Sequence, residues 1–130
     1  MKHSNKTILI VEDSPVQALA LQLLLQNHGA NILRAASGEM ALEMACQNLP
    51  DVILLDIELP GINGLEVCRL LREDARTLEI PVILFTTHDD QETLRKSFAG
   101  GAIEFIPKDI FYTIVLPKTL EQMQILDTVL

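Results

Sequence analysis

The chain has 130 residues, the size of one ordinary domain, and its 48% apolar and 22% charged residues match a folded protein rather than a disordered tail. Ten Lys and Arg against 18 Asp and Glu leave a net charge of −8, which repels a phosphate backbone and sets aside nucleic-acid binding by this domain. No apolar run approaches the ~18 residues a bilayer span requires, and the stretch from Met1 to Thr7 is short and polar, so neither an anchor nor a signal peptide is expected. Cys46 and Cys68 sit in apolar periodic segments without the spacing of a zinc site or a disulfide framework, and buried thiols in a reducing, cytoplasmic setting are expected.

Residues 8–11 form the first apolar run and predict a strand. Ser14-Pro15 then supplies an N-cap followed by a proline at the first helical position. Val16, Leu19, Leu23 and Leu24 recur at helical spacing until Asn27-His28-Gly29 stops the run. A weaker strand follows over 31–35, suited to a sheet edge. Ser37 caps a second helix with Met40, Ala41, Met44 and Ala45 on its inner face, and Leu49-Pro50 ends it. After a strand over 51–55, Asn63-Gly64 opens a third helix with Leu65, Cys68 and Leu71 inward and Arg69, Arg72 and Glu73 in solvent. A strand over 82–85 leads to a fourth helix, from near Asp89 to Gly100-Gly101. The fifth strand covers 103–106. Residues 110–116 are able to start a helix, but Pro117 is unfavourable in a helix interior, so a turn and then a helix from about Pro117 are predicted.

In the last segment Leu116, Leu120, Met123, Leu126 and Leu130 recur at intervals of four and three, with Ile125 and Val129 widening the stripe. That is more apolar than the terminal helix of a monomer needs. The expectation is one domain over residues 1–130, cut from a longer protein with a linker from about residue 127, and a homodimer through the last helices.

Nearly continuous apolar strands alternating with helices specify an α/β fold with a parallel sheet covered on both faces. In such a sheet ligands bind at the carboxyl ends of the strands. Glu12 and Asp13 follow the first strand, Asp56 ends the third, Thr86-Thr87 end the fourth, and the fifth leads into Lys108. Clustered carboxylates repel one another unless a cation compensates them, and an all-oxygen donor set favours Mg²⁺ over Zn²⁺. Asp56 as a nucleophile would attack a phosphoryl group, with the cation, the Thr86 hydroxyl and the Lys108 ammonium stabilising the transferred oxygens.

Read together, Ile8-Leu9-Ile10-Val11-Glu12-Asp13-Ser14, Ile53-Leu54-Leu55-Asp56, Leu59-Pro60-Gly61-Ile62-Asn63-Gly64, Pro81-Val82-Ile83-Leu84-Phe85-Thr86 and Phe105-Ile106-Pro107-Lys108 resemble the receiver domain of two-component response regulators over residues 6–126. The resemblance implies a flavodoxin-like α/β/α fold, a five-stranded parallel sheet in the order 2-1-3-4-5 with about five helices. It implies Asp56 as phospho-acceptor, Glu12 and Asp13 as Mg²⁺-site acids, the Glu58 backbone carbonyl as a further metal ligand, Thr86 and Phe105 as switch residues and Lys108 as the phosphate-binding lysine. It further implies a histidine kinase or histidine phosphotransfer protein as phosphoryl donor within a phosphorelay, and a switch that catalyses only its own phosphorylation and dephosphorylation. The family's lysine is usually followed by proline in a cis bond, whereas here Asp109 follows. A cis bond without proline costs about 2.5–4 kcal/mol, so Lys108-Asp109 is expected to be trans.

Two readings compete. A degenerate receiver would bind partners without phosphorylation, but the acceptor, acid, hydroxyl and lysine set is complete. A Mg²⁺-dependent aspartyl phosphatase of the haloacid-dehalogenase type wants Asp-x-Asp after its first strand, where this chain has Glu12-Asp13-Ser14. A flavodoxin-like electron carrier is rejected, because aromatic residues are only 4% and Trp is absent.

Overall fold

A computed structural model describes residues 6–87, 90–109 and 111–127. Along them run β1 (Thr7–Val11), α1 (Pro15–Leu25) with a 3-10 turn over Gln26–His28, β2 (Asn31–Ala35), α2 (Gly38–Asn48), β3 (Val52–Asp56) and α3 (Gly64–Glu73). Then come β4 (Val82–Thr86), α4 (Gln91–Ala99), β5 (Glu104–Pro107) and α5 (Tyr112–Gln122). All four strand pairings are parallel, in the order β2-β1-β3-β4-β5. The expected α/β/α architecture and strand order are both observed, and among the described residues no helix is long and apolar enough to cross a membrane.

Strand periodicity of two divides the apolar side chains between two cores. Ile8, Ile10, Val52, Leu54, Ile83 and Ile106 meet Leu21 and Leu25 of α1 and Leu116 and Leu120 of α5. Leu9, Val11, Ile53, Leu55, Val82 and Leu84 meet Ala41 and Ala45 of α2 and Val67, Cys68 and Leu71 of α3. Buried on both faces, the central strands need no polar alternation. Ser14, Ser37, Asn63 and Asp90 each cap the helix that follows through a side-chain oxygen. The start expected for α4 near Asp89 lies outside the described residues, and the helix itself begins at Gln91.

Several expectations are corrected. In α1 the inner stripe is Ala18, Leu21 and Leu25, while Val16, Leu19 and Leu23 are exposed at 77%, 55% and 55%. The helix is apolar on every side, so more than one helical phase fits its sequence. In α2, Met40 faces solvent, and the small Ala41 and Ala45 take the inner positions. Arg72 is not solvated but half-buried, because its guanidinium donates to the carbonyls of Gly101 (3.3 Å), Thr77 (3.4 Å), Ile80 (2.7 Å) and Leu78. It thereby satisfies the backbone of the loop leading into β4. Cys68 is buried as expected, but Cys46 is only half-buried, in a cleft between α2 and α3 whose lining includes Asp74 and Arg76.

The terminal segment departs furthest. Helix α5 starts at Tyr112 and carries Pro117 in its interior. The proline forfeits one amide donor and crowds the preceding turn, yet Leu116 and Leu120, 4% and 0% exposed, anchor the helix on the sheet and outweigh that penalty. It closes at Gln124 in the left-handed region (φ 63°). Gln124 donates to the Glu121 carbonyl and Ile125 to the Leu120 carbonyl, each at 2.9 Å, the paired bonds of a Schellman end. Ile125 and Leu126 fold back into the core and Asp127 donates to the His28 carbonyl at 2.8 Å. The described part of the apolar stripe is thus used inside the domain; Val129, Leu130 and nearly all of the expected linker lie outside the described residues.

Candidate functional site

The parallel sheet brings the carboxyl ends of β1, β3, β4 and β5 to one edge. Asp56 ends β3 at 3% exposure and Glu12 follows β1 at 1%, while Asp13 is exposed. Oxygens of these three carboxylates lie within 4.8 Å of one another. Register places Asp56 beside Phe85 and Thr86 beside Pro107, so β4 and β5 deliver Thr86 and Lys108 to the same place.

Lys108 joins the acids. Its Nζ donates to Asp56 Oδ2 at 3.0 Å, Glu12 Oε1 at 3.1 Å and Gln17 Oε1 at 2.9 Å, and it stands 4.8 Å from the centroid of the Phe85 ring. The side chain is 12% exposed, and the Lys108 amide donates to the Thr86 carbonyl at 2.7 Å. No cis peptide occurs among the described residues, so Lys108-Asp109 is trans as expected and the lysine still reaches the acids.

The loops are fixed through their backbones. Arg34 on the edge strand β2 donates to the Glu12 carbonyl at 2.8 Å and the Asp13 carbonyl at 3.2 Å, and Ser14 N–H donates to Glu12 Oε2 at 3.2 Å. The Glu58 amide donates to Asp56 Oδ1 at 3.0 Å. Gly64 packs α3 onto the backbone of Asp56 and Ile57 and donates to the Ile57 carbonyl at 2.9 Å.

Charge is unbalanced in this pocket. Burial, ahead of the neighbouring Glu58 side-chain carboxyl, pushes the Asp56 carboxyl up to about 7, against the pull of Lys108. Burial lowers the Lys108 ammonium, but the hydrogen bonds and charges of Asp56 and Glu12 outweigh it and hold the group above its ordinary value. Three converging carboxylates with one ammonium between them are a donor set of hard oxygens suited to a divalent cation.

Phe105 is half-buried and packs against the core on the α2–α3 side. Thr86 is fully buried and its hydroxyl donates to the Glu58 carboxylate, to which Thr87 also donates at 3.3 Å. The Glu58 side chain therefore enters the site, where sequence reading had placed only its carbonyl. Gln17, Arg34 and Phe85 were missed as well. Gln17 was legible in principle, since it lies one helical turn beyond Ser14, while the contacts of Arg34 and Phe85 follow from strand register.

The sequence model of the response regulator receiver domain matches residues 8–120. Protein PilH of Pseudomonas aeruginosa is 40% identical over 103 residues, 79% of this chain and 85% of PilH. The transcriptional regulatory protein AfsQ1 of Streptomyces coelicolor is 38% identical over 104 residues, 80% of this chain; the match spans only 45% of AfsQ1. Among solved structures, the chemotaxis protein CheY4 of Vibrio cholerae superposes with a TM-score of 0.83 at 29% identity, over 90% of this chain and 97% of that one. Fold, strand order and sequence match agree along almost the whole described chain, which belongs to the response regulator receiver domain family of two-component systems.

Proposed function

We propose that this chain is a phosphorylation-dependent switch whose acceptor is Asp56. The observation that carries the reading is the convergence of Glu12, Asp13, Asp56 and Lys108 within hydrogen-bond or cluster distance at one sheet edge. A carboxylate oxygen of Asp56 attacks the phosphorus of a phosphohistidine on a histidine kinase or phosphotransfer protein. The P–N bond breaks, the histidine leaves, and an aspartyl phosphate remains. Lys108, already against Asp56 Oδ2, neutralises a transferred oxygen, and the Thr86 hydroxyl donates to another. Asp13 and Asp56, with Glu12 acting largely through water and the Glu58 carbonyl completing the set, would hold Mg²⁺. Bound there, Mg²⁺ supplies charge neutralisation for the acids and the incoming phosphoryl group. Phe105, packed on the core beside this edge, is the aromatic whose position reports the change.

Acetyl phosphate with Mg²⁺ tests the reading. Intact-protein mass spectrometry should show the addition of one phosphoryl group, absent in Asp56→Asn, while Lys108→Ala accepts the group without the conformational response. Equal phosphorylation of Asp56→Asn, or none of the unmutated chain, would overturn it.

A further inference from the structure

The hydroxyl of Thr86 has one proton to donate, and in this structure it donates to the carboxylate of Glu58. Glu58 stands two residues beyond Asp56, and Thr86 one residue beyond the register partner of Asp56 on the adjacent strand, so a side chain of glutamate length spans the gap. Thr87 donates to the same Oε1 atom at 3.3 Å, which keeps the carboxylate over the end of β4. A hydrogen bond to a carboxylate is roughly twice as strong as one between neutral groups.

We infer that Glu58 is a latch on Thr86: its carboxylate engages the hydroxyl proton of Thr86, and phosphorylation of Asp56 must win that proton from it. The inference rests on the phospho-acceptor reading and adds a positioning residue to it. A tetrahedral phosphoryl group on Asp56 presents new acceptor oxygens, and Thr86 satisfies one only by leaving Glu58. Glu58 is exposed and also accepts from the Thr87 hydroxyl, so the departure of Thr86 does not strand its carboxylate. The latch therefore sets the balance between the unphosphorylated and phosphorylated arrangements without being a catalytic residue itself. The same carboxylate also repels an incoming anion, and the test has to separate that charge effect from the latch.

Titration with beryllofluoride in Mg²⁺, followed by amide NMR, gives the separation through a cycle of the unmutated chain, Glu58→Ala, Thr86→Val and the double variant. The expected result is roughly tenfold tighter uptake in Glu58→Ala, an intermediate gain in Glu58→Gln, which keeps an acceptor without the charge, and less than about twofold change when Glu58→Ala is made in Thr86→Val. No gain in Glu58→Ala, or the same gain in the Thr86→Val background, would overturn the latch, the second outcome leaving only charge repulsion. A second readout needs no phosphoryl analogue: the Thr86 methyl couplings should report one side-chain rotamer in the unmutated chain and averaging in Glu58→Ala. Failure of the unmutated chain to take up beryllofluoride would remove the phospho-acceptor reading. The rotamer arm alone then decides the latch, a single Thr86 rotamer persisting in Glu58→Ala counting against it.

Discussion

Gly64 lies against Asp56 so closely that a β-carbon on it would collide with the Asp56 carbonyl oxygen and come within 2.8 Å of Ile57 Cα. The obstacle is backbone, which cannot swing aside as a side chain can. Helix propensity alone would favour alanine at this first position of α3 by about 1 kcal/mol. Packing reverses the sign, and Gly64→Ala should cost about 2–3 kcal/mol in chemical denaturation. It should also shift the amide resonances of Asp56 and Ile57, and a stabilised variant would show the contact to be soft.

The raised Asp56 carboxyl makes stability fall with pH. In the folded chain it keeps its proton up to about 7, whereas in the unfolded chain it loses it near the ordinary value of about 4. Between these values the folded state binds more protons, so its advantage, complete below pH 4, is lost as pH rises through 7. In metal-free buffer Asp56→Asn should therefore gain stability relative to the unmutated chain between pH 5 and 8, by about 2 kcal/mol. A pH-independent difference would refute the assignment.

Mg²⁺ should act oppositely. It requires ionised ligands, so millimolar Mg²⁺ should raise the melting temperature at pH 8, do little at pH 5, and have no effect on Asp13→Asn/Asp56→Asn at either pH. Equal stabilisation of that double variant would mean that the ion binds elsewhere.

Removal of Lys108 leaves Glu12 and Asp56 facing each other with their shared cation gone. Lys108→Ala should lose about 3 kcal/mol at pH 8, and adding Asp56→Asn should restore part of it, because the second change removes the charge left uncompensated. Strictly additive losses in a double-mutant cycle would argue against direct coupling.

Leu21 and Leu19 separate the two phases available to α1. Leu21 is 2% exposed and Leu19 55%, so Leu21→Ala should cost about 2–4 kcal/mol and Leu19→Gln less than about 0.5 kcal/mol. Similar losses at both positions would contradict the packing.

Strands, caps and the polar edge of the sheet were legible in sequence because each rests on a local signal. Ser14, Ser37 and Asn63 are side chains that compete for exposed helix amides, and residues 82–85 are apolar without interruption, as a twice-covered strand must be. The failures share another property. The phase of α1 depends on which of two apolar stripes meets the sheet, and Arg72 is drawn inward by four carbonyls up to 29 residues away. Pro117 is tolerated because of what Leu116 and Leu120 touch. The same division runs through the site: the acids and Lys108 stand at strand ends and are visible in order, whereas the Glu58–Thr86 hydrogen bond needs the register of β3 against β4.

The bond from Asp127 to the His28 carbonyl ties the segment after α5 to the turn before β2. His28 precedes β2, at the amino ends of the strands, while Asp56, Thr86 and Lys108 stand at the carboxyl ends. Five-residue strands separate the two edges by about 16 Å. Asp127 therefore lies at the floor of the domain, with the whole length of the strands between it and the acidic edge. A change at the acidic edge reaches Asp127 only by reshaping the flanks of the domain, so the flanks are where the message has to be sought.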